Sequence, residues 1–255
     1  MSLSSKARSR ASSALDVMPP ARRQRWALAR RALATLPSRL TVIDAGCGDA
    51  LLTHQLARAH PGWRIVGADL SRSALMLRAG DRAACPAAGL LLVQADLQRP
   101  LACGSADVVL SLECLTEIPD DRSVVSGLAA ALRPGGLLVL HVMHAGWCPV
   151  LPGSDGQWRH EVRHGYEEAE LRSLLTGAGL LVERVVPTMR GTVQVAQEVR
   201  DRCKHAAPTV RLLLFPVMVL AAWLDTAGAT WGRGRGMFVL ARRPQTDVTA
   251  PSAAG

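Results

Sequence analysis

The sequence predicts an α/β protein in which a mostly parallel β-sheet is covered by helices on both faces. From residue 41 onwards, apolar runs of strand length alternate with stretches of helix length, which is the pattern of βαβ units. The 255 residues, 49% of them hydrophobic and 20% charged, provide enough apolar material for one such domain with additions. Acidic residues follow three successive strands, and a turn with two glycines joins the first strand to a helix.

The strands are placed at apolar runs bounded by turn residues, and the helices lie between them. We predict strands at residues 41–45, 64–68, 90–94, 106–111, 136–142, 180–186 and 237–241. Helices are predicted at residues 20–36, 50–59, 71–79, 121–132, 167–177, 192–206 and 209–225. The sequence Leu-Arg-Pro-Gly-Gly at residues 132–136 is predicted to stop a helix and turn into the fifth strand.

The turn after the first strand is the most informative segment. Asp44 lies at the end of a buried strand, and Gly46 and Gly48 follow it in the turn. Glycines let the backbone turn sharply and approach a ligand where a side chain would clash. The Gly-x-Gly-x-x-Gly fingerprint of dinucleotide binding is not completed, because position 51 is Leu51. An acid before the first glycine favours a cationic ligand over a pyrophosphate.

Two further acids follow the next two strands. Asp69 ends the second strand, where a carboxylate can accept hydrogen bonds from both hydroxyls of a ribose. Asp96 follows the third strand, where an acid can bind the amino group of an adenine. Ligands of open α/β sheets bind at the carboxyl ends of the strands, so these acids are predicted to share one site. The alternative for a single acid is a helix N-cap, which Asp69 would provide for the helix near Ser71.

With these residues the sequence resembles the class I S-adenosylmethionine (SAM)-dependent methyltransferases. The matching segments are the glycine-rich loop at 44–48, the ribose-binding acid Asp69, the adenine-contacting pair at 96–97, the substrate strand and loop at 107–113, the turn and fifth strand at 132–140, and the helix and turn at 165–180. The resemblance implies a Rossmann-like sheet of seven strands whose last strand is antiparallel, with SAM as the cofactor.

The expected site residues lie at the carboxyl ends of the strands and in the loops that follow them. We expect the cofactor to be bound by Asp44, Gly46, Cys47, Gly48, Asp69, Leu70, Asp96, Leu97 and Ser111. The acceptor is expected beside them, against the loops at 111–116 and 144–166. Glu113 is a catalytic candidate that would orient the acceptor, with a cap of the next helix as the alternative. His144 is explained equally well by substrate contact and by packing in its loop.

Residues 160–164 read His-Glu-Val-Arg-His, the residue order of zinc-protease helices. Those helices keep their buried positions uncharged, whereas Arg159 and Arg163 intrude here, and Gly165 ends any helix before a third ligand. We therefore predict no metal. His160 and His164 are instead candidate general bases near the mouth of the site, with plain surface histidines as the alternative.

The basic residues are concentrated near the first residue of the chain. Residues 1–40 contain nine Lys or Arg and one acid, in a chain of net charge +9, so the remainder is close to neutral. Such a segment favours an anionic membrane surface, nucleic acid or a solvated tail. Aromatic residues are only 4% of the chain, with a single Tyr, so base-stacking side chains are scarce. This composition argues against nucleic acid as a partner.

The second unusual segment is the apolar run at 212–223, which is interrupted by Pro216. It is shorter than the ~20 residues of a membrane span. Within an insertion at 190–232, it is interpreted either as a substrate lid or as a helix lying in a membrane interface. We expect a cytoplasmic protein with reduced cysteines, and peripheral contact with an anionic membrane stays open. The predicted organisation is a disordered leader at 1–18, a domain at 19–243 and a disordered tail at 244–255.

The sequence therefore predicts a SAM-dependent methyltransferase acting on O, N or C of a small, apolar or lipid-like acceptor. A non-catalytic SAM-binding or membrane-associated scaffold protein is the first alternative. A nicotinamide-dependent oxidoreductase is the second, and Leu51 argues against it because the dinucleotide fingerprint is incomplete.

Overall fold

Seven strands of the computed structural model form one sheet in the order β3-β2-β1-β4-β5-β7-β6. The structure describes residues 20–77, 89–99, 101, 104–152, 162–203, 216, 220 and 232–245. The neighbouring pairs β1–β2, β2–β3, β1–β4 and β4–β5 are parallel, and the last strands are antiparallel. The predicted fold class, a Rossmann-like sheet with helices around it, is confirmed.

The described elements follow the predicted alternation of strands and helices. The strands are β1 Thr41–Ala45, β2 Arg64–Asp69, β3 Leu90–Gln94, β4 Ala106–Leu112, β5 Leu132–Met143, β6 Leu181–Thr188 and β7 Gly236–Arg242. The helices are α1 Pro20–Leu33, α2 Leu51–Ala59, α3 Arg72–Met76, α4 Asp121–Ala131, α5 Glu168–Gly177 and α6 Gly191–Arg202, with a short 3-10 helix at Leu115–Glu117. Most bounds lie within a few residues of the predicted ones.

The start of β5 differs from the prediction, which placed residues 132–136 in a turn before the strand. Ala106 of β4 pairs with Leu132, but Val108 pairs with Leu137, so four residues of β5 stand opposite one residue of β4. Gly135 has a φ of 76° in this irregular stretch. Its N–H still donates to the carbonyl of Arg243 at 2.9 Å, so the turn is a bulge inside the sheet.

The apolar run of β5 explains why this strand lies inside the sheet. Leu138, Val139 and Leu140 are fully buried, and β4 beside them is buried along most of its length. A strand covered on both faces reads as a continuous apolar run without polar alternation. Each fully buried leucine side chain contributes about 1.5–3 kcal/mol to folding. These buried central strands therefore stabilise the sheet at whose edge Asp44, Asp69 and Asp96 lie.

The chain divides into two compact units. One consists of residues 31–146, 157–186 and 237–255 and contains β1–β5 and most of β7. The other consists of residues 1–30, 147–156 and 187–236 and contains α6. In this second unit, the buried carboxylate of Glu198 on α6 accepts hydrogen bonds from the N–H groups of Val150 and Leu151 at 3.0 and 2.8 Å.

Several predicted segments lie outside the described residues. These are the leader at 1–18, the tail from residue 246 and most of the predicted helix at 209–225, of which only Pro216 and Leu220 are described, both helical. The described part of the insertion begins with α6, as the sequence predicts within a few residues. Among the described helices, none is both long enough and apolar enough to cross a bilayer.

Candidate functional site

The turn between β1 and α2 is built from residues in left-handed backbone conformations. Gly46, Gly48 and Ala50 have φ values of 79°, 57° and 56°. The N–H groups of Gly46 and Cys47 both donate to the carbonyl of Ala68 in β2, at 2.8 and 3.1 Å. L-residues seldom adopt positive φ, so the two glycines are the residues this turn needs. The turn is held against the end of the neighbouring strand.

Close packing is a second reason for glycine at position 46. A Cβ atom there would lie 2.5 Å from the Cβ and the Sγ of Cys114. At Gly48, by contrast, a Cβ would meet nothing within 4 Å. Gly46 therefore lets the loop after β4 pack against the turn, whereas Gly48 faces open space where a ligand can approach the backbone.

The carboxylate of Asp69 ties β2 to this turn. Its Oδ2 accepts a hydrogen bond from the N–H of Gly48 at 2.7 Å, and its Oδ1 accepts one from the N–H of Ser71 at 2.8 Å. The alternative in which Asp69 is a helix N-cap is wrong. Ser71 caps α3, because its hydroxyl accepts from the N–H of Ala74 at 3.2 Å. The Asp69 carboxylate therefore holds the turn, and its remaining lone pairs can accept hydrogen bonds from further donors.

Asp44 is buried in β1 and accepts a hydrogen bond from a residue of α2. The hydroxyl of Thr53, in the first half of α2, donates to Asp44 Oδ2 at 2.6 Å. Burial, together with the charges of Asp44 and Asp69, raises the pKa of the Cys47 thiol well above its ordinary value. Because both carboxylates act on the same thiol, Asp44 and Asp69 lie around one small region of negative potential.

Burial also raises the pKa of the Cys114 thiol, to about 12, and Asp69, Glu117 and Asp44 add to the shift. A thiol with such a pKa stays protonated near neutral pH, and the thiolate is the nucleophile in cysteine chemistry. Neither Cys47 nor Cys114 is therefore suited to act as a nucleophile. Both serve as small apolar packing groups around the turn.

The residues after β3 and β2 lie at the same sheet edge. The N–H of Ala95 donates to the backbone carbonyl of Asp69 at 3.0 Å, which brings Asp96 next to the end of β2. The Leu97 side chain packs in the hydrophobic core, so only its backbone is available to a ligand. Leu70 is 66% exposed beside these acids. An exposed leucine next to carboxylates suits contact with the flat face of a base.

The loop after β4 contains the catalytic candidate Glu113. Its Oε1 lies 2.6 Å from Nδ1 of His141, a fully buried residue of β5, and the Glu113 side chain is 24% exposed. The interpretation of Glu113 as a helix cap does not apply, because the N-cap of α4 is Asp120, which accepts from the N–H of Ser123 at 3.0 Å. Ser111, two residues earlier in β4, is fully buried.

The loop residues before α5 come close to the loop after β4. The N–H of Val162 donates to the carbonyl of Thr116 at 3.0 Å. Arg163 binds Asp121 and Glu170, and its guanidinium lies 3.9 Å from the ring centre of Tyr166. These contacts join the loops that the sequence analysis assigned to the acceptor.

The two histidine candidates of this segment differ in what the structure describes. His164 is exposed next to Arg163, and His160 lies outside the described residues. His144 serves its own loop, since its Nδ1 accepts from the N–H of Gly146 at 3.0 Å and its Nε2 lies 3.8 Å from Glu167.

Sequence reasoning did not single out Thr53 or Cys114 and gave His141 no role. Thr53 stands nine residues after Asp44, and a helical threonine carries no signal of a hydrogen bond to a preceding strand. Cys114 and His141 meet their partners Gly46 and Glu113 only through the sheet order, in which β4 lies between β1 and β5. Glycine at position 46 is a weak signal that another segment approaches closely.

The residues of the turn fit SAM by their donor and acceptor chemistry. Gly48 leaves space above its backbone, and the acids at this edge suit a ligand with hydroxyl, amino and sulfonium groups. The fully buried hydroxyl of Ser111 lies beside the Cys114 thiol, next to the turn.

A mostly parallel sheet with a glycine turn and acids near the ends of three strands is typical of α/β domains that bind a nucleoside. Residues 43–140 match the model of the family described as methyltransferase domain. This match supports the predicted resemblance to the class I SAM-dependent methyltransferases, whose cofactor is SAM.

Similar proteins support the same family. The chain is 37% identical to ubiquinone biosynthesis O-methyltransferase of Ralstonia nicotianae over 40% of this chain and 43% of the relative. It is 36% identical to trans-aconitate 2-methyltransferase of Deinococcus radiodurans over 46% of this chain and 44% of the relative. The match thus spans less than half the length of these curated relatives.

Among solved structures, phosphoethanolamine N-methyltransferase 2 of Haemonchus contortus in complex with SAM has a similar fold. The TM-score is 0.66 at 18% identity, over 88% of this chain and 53% of that chain. At this identity the likeness concerns the fold alone.

Proposed function

We propose that the protein transfers a methyl group from SAM to an oxygen, nitrogen or carbon atom of a small, apolar acceptor. The observation that carries the proposal is the hydrogen bond from the N–H of Gly48 to Asp69 Oδ2 at 2.7 Å. It joins the glycine turn and the acid of the second strand at one sheet edge. The match of residues 43–140 to the methyltransferase domain model and the sheet topology support the same activity.

The cofactor would lie along the carboxyl ends of β3, β2 and β1, in that order. Asp96 would accept the adenine amino group, and exposed Leu70 would pack against the base, with the Leu97 backbone nearby. Asp69 would accept the ribose hydroxyls on its remaining lone pairs. The Asp44, Cys47 and Gly48 segment and Ser111 would surround the amino acid end, where negative potential favours the cationic groups.

When bound, the cofactor supplies a methyl group on a sulfonium, whose sulfur keeps the electron pair of the carbon–sulfur bond as the methyl leaves. The protein then needs chiefly to hold the acceptor in line with that bond, and such positioning provides much of the rate. Glu113 is the proposed group that orients the acceptor. His164, exposed in the loop before α5, and His160 remain proposed general bases.

The proposal also specifies the chemical class of the acceptor, which we propose to be apolar. It is supported by the apolar sequence at 212–223 and by a relative named for ubiquinone biosynthesis. The relative named for trans-aconitate shows that similar domains occur in proteins named for a different acceptor. We propose the apolar class because an apolar run of this length in the sequence is typical of a segment that binds or covers an apolar ligand.

Replacing Asp69 by Ala tests the cofactor site. We expect the affinity for S-adenosylhomocysteine, measured by calorimetry, to fall at least ~100-fold. The change removes two charge-assisted hydrogen bonds to a ribose, each worth about 1.5–3 kcal/mol. It also releases the Gly48 N–H from its partner. An unchanged affinity would refute the ribose assignment.

The matched control is Glu183→Gln, which neutralises an exposed acid that pairs with Arg242 at 2.6 Å. This variant is expected to bind S-adenosylhomocysteine like the wild type. Transfer of labelled methyl from SAM to a cell extract then separates an enzyme from a binding protein. Binding without transfer would favour the non-catalytic alternative, and a thermal shift with NADP but none with SAM would favour an oxidoreductase.

Peripheral contact with an anionic membrane is proposed separately, from charge. Helix α1 has no acid in its first turn, and Arg30 and Arg31 at its end are exposed. Basic segments bind anionic lipid with about 1 kcal/mol per residue near the surface. We expect sedimentation with phosphatidylserine vesicles at low salt, and loss of sedimentation with phosphatidylcholine alone. Equal behaviour on both vesicles would contradict the proposal.

A further inference from the structure

Glu113 and His141 form a pair that the family assignment does not require. We propose that His141 is a positioning residue that fixes the Glu113 carboxylate, and that Glu113 accepts the proton of the acceptor. The methylated atom then belongs to a hydroxyl or an amine and not to a carboxylate. This inference rests on the proposed function and names the acceptor class of the same site.

One backbone hydrogen bond and one side-chain contact with the same residue hold Glu113. Its N–H donates to the backbone carbonyl of His141 at 3.0 Å, and its Oε1 lies 2.6 Å from the Nδ1 of that residue. The Glu113 backbone has a φ of 66°, a conformation that a glutamate seldom adopts. Such strain persists where the surrounding structure fixes it, and it is concentrated at functional sites. The side chain is thus held in one direction.

The pair is buried at the point of contact, while the Glu113 side chain is partly exposed elsewhere. Oε1 and Nδ1 are both buried, whereas the Glu113 side chain as a whole is 24% exposed. The exposed area therefore belongs to the other atoms of the side chain, which include Oε2. Nδ1 is the ring nitrogen that lies next to Oε1.

The Glu113–His141 pair lies at the end of the proposed site where the methyl group would be transferred. Cys114 follows Glu113 directly and lies against the glycine turn, where a Cβ on Gly46 would be 2.5 Å from its Sγ. Asp69 and Asp96, at the ends of β2 and β3, lie on the other side of β1 in the sheet order. Glu113 therefore stands beside the turn on the side away from the adenine acids.

The chemistry of the carboxylate selects the acceptor. A hydroxyl or amine would donate a hydrogen bond to Oε2, and its lone pair would form the new bond to the methyl carbon as the bond from that carbon to the sulfonium sulfur breaks. The proton released in that step passes to Oε2 and then to water. His141 stays in contact with Oε1, so the carboxylate keeps its orientation throughout. A carboxylate acceptor carries no proton at neutral pH and is repelled by Glu113.

The test uses the full chain, labelled with 15N-histidine and saturated with S-adenosylhomocysteine. Phenol and benzoate, at equal millimolar concentration, serve as probes that differ in the hydroxyl and the carboxylate. We expect phenol to shift the His141 ring nitrogen resonance, which is assigned by its loss in His141→Gln, and benzoate to leave it in place. Glu113→Gln should abolish the phenol effect, and Glu117→Gln, which neutralises a nearby acid, should keep it.

The Glu113→Gln variant also has a kinetic outcome. Labelled methyl transfer to a cell extract should fall at least ~100-fold, as expected for loss of a proton acceptor. Its affinity for S-adenosylhomocysteine should remain within about threefold of the wild type, because a carboxamide occupies the same space. An equal shift with benzoate, no shift with phenol, or a retained rate would overturn the inference. Failure of the wild type to bind S-adenosylhomocysteine would instead overturn the proposed function.

Discussion

Two sides of one sheet edge are held in different ways. On the side of β2 and β3, Asp69 accepts from the backbone N–H groups of Gly48 and Ser71. On the side of β4 and β5, Glu113 pairs with the side chain of His141, which is 28 positions away in the sequence. The first side therefore depends on the backbone of a turn, and the second on side chains that only the folded sheet brings together.

This difference predicts how each side responds to substitution. A backbone turn requires particular φ values, so it tolerates removal of a side chain but not the addition of one. A pair of side chains tolerates small losses as long as each charge keeps another partner. Substitutions on the two sides should therefore differ in how much free energy of unfolding they cost and in which property they change.

The largest effect is expected for Gly46→Ala. Alanine at a φ of 79° costs about 1–2 kcal/mol. Its Cβ would also lie 2.5 Å from Cys114, and overpacking of this kind costs about 1–3 kcal/mol. We expect the free energy of unfolding, measured by urea titration, to fall by about 3 kcal/mol. A loss below about 1 kcal/mol would contradict the packing between the turn and the β4 loop.

Gly48→Ala is the matched control, because a Cβ there meets nothing within 4 Å. It should cost about 1 kcal/mol of stability, as the chain already accepts Ala50 at a φ of 56°. Its affinity for S-adenosylhomocysteine should nevertheless fall at least ~10-fold, since the methyl group enters the proposed cofactor space. In the double variant with Cys114→Gly, the Gly46→Ala cost should shrink by at least about 1 kcal/mol.

The sequence predicted the fold because its signals are local. The strands at 41–45 and 90–94 are found with the predicted bounds, since each is a short apolar run between turn residues. The bulge at the start of β5 was not predicted, because Pro134 and Gly135 read as a turn whether or not the strand continues around them. Only the pairing of Ala106 with Leu132 distinguishes the two cases.

The residues of the candidate site were predicted where the sequence signal is local, and they were missed where only the sheet order brings two residues together. Gly48 and Asp69 were found from spacing, because a strand that runs through glycines into a helix has few other uses. Glu113 was named from its place after the fourth strand. Its partner His141 was not, because a histidine inside an apolar strand carries no sign of the residue it will face. Thr53 was missed for the same reason.

The smallest effect is expected for Tyr166→Phe, on the side held by side chains. The Tyr166 hydroxyl donates to Asp121 Oδ2 at 2.9 Å, and Arg163 Nη1 donates to the same oxygen at 2.7 Å. Phenylalanine removes one of these bonds and keeps the ring beneath the guanidinium. We expect a loss of about 1 kcal/mol in the free energy of unfolding, because the carboxylate retains its charged partner.

Thr176→Val is the control for this variant, because it deletes an exposed hydroxyl that donates to the carbonyl of Arg172 at 2.8 Å within α5. A change within about 0.5 kcal/mol is expected there, as for most surface substitutions. If Tyr166→Phe cost as much as Gly46→Ala, the hydroxyl would be an obligatory support of the loop before α5. The two sides of the sheet edge would then be equally intolerant, and the contrast between a backbone turn and a side-chain pair would be wrong.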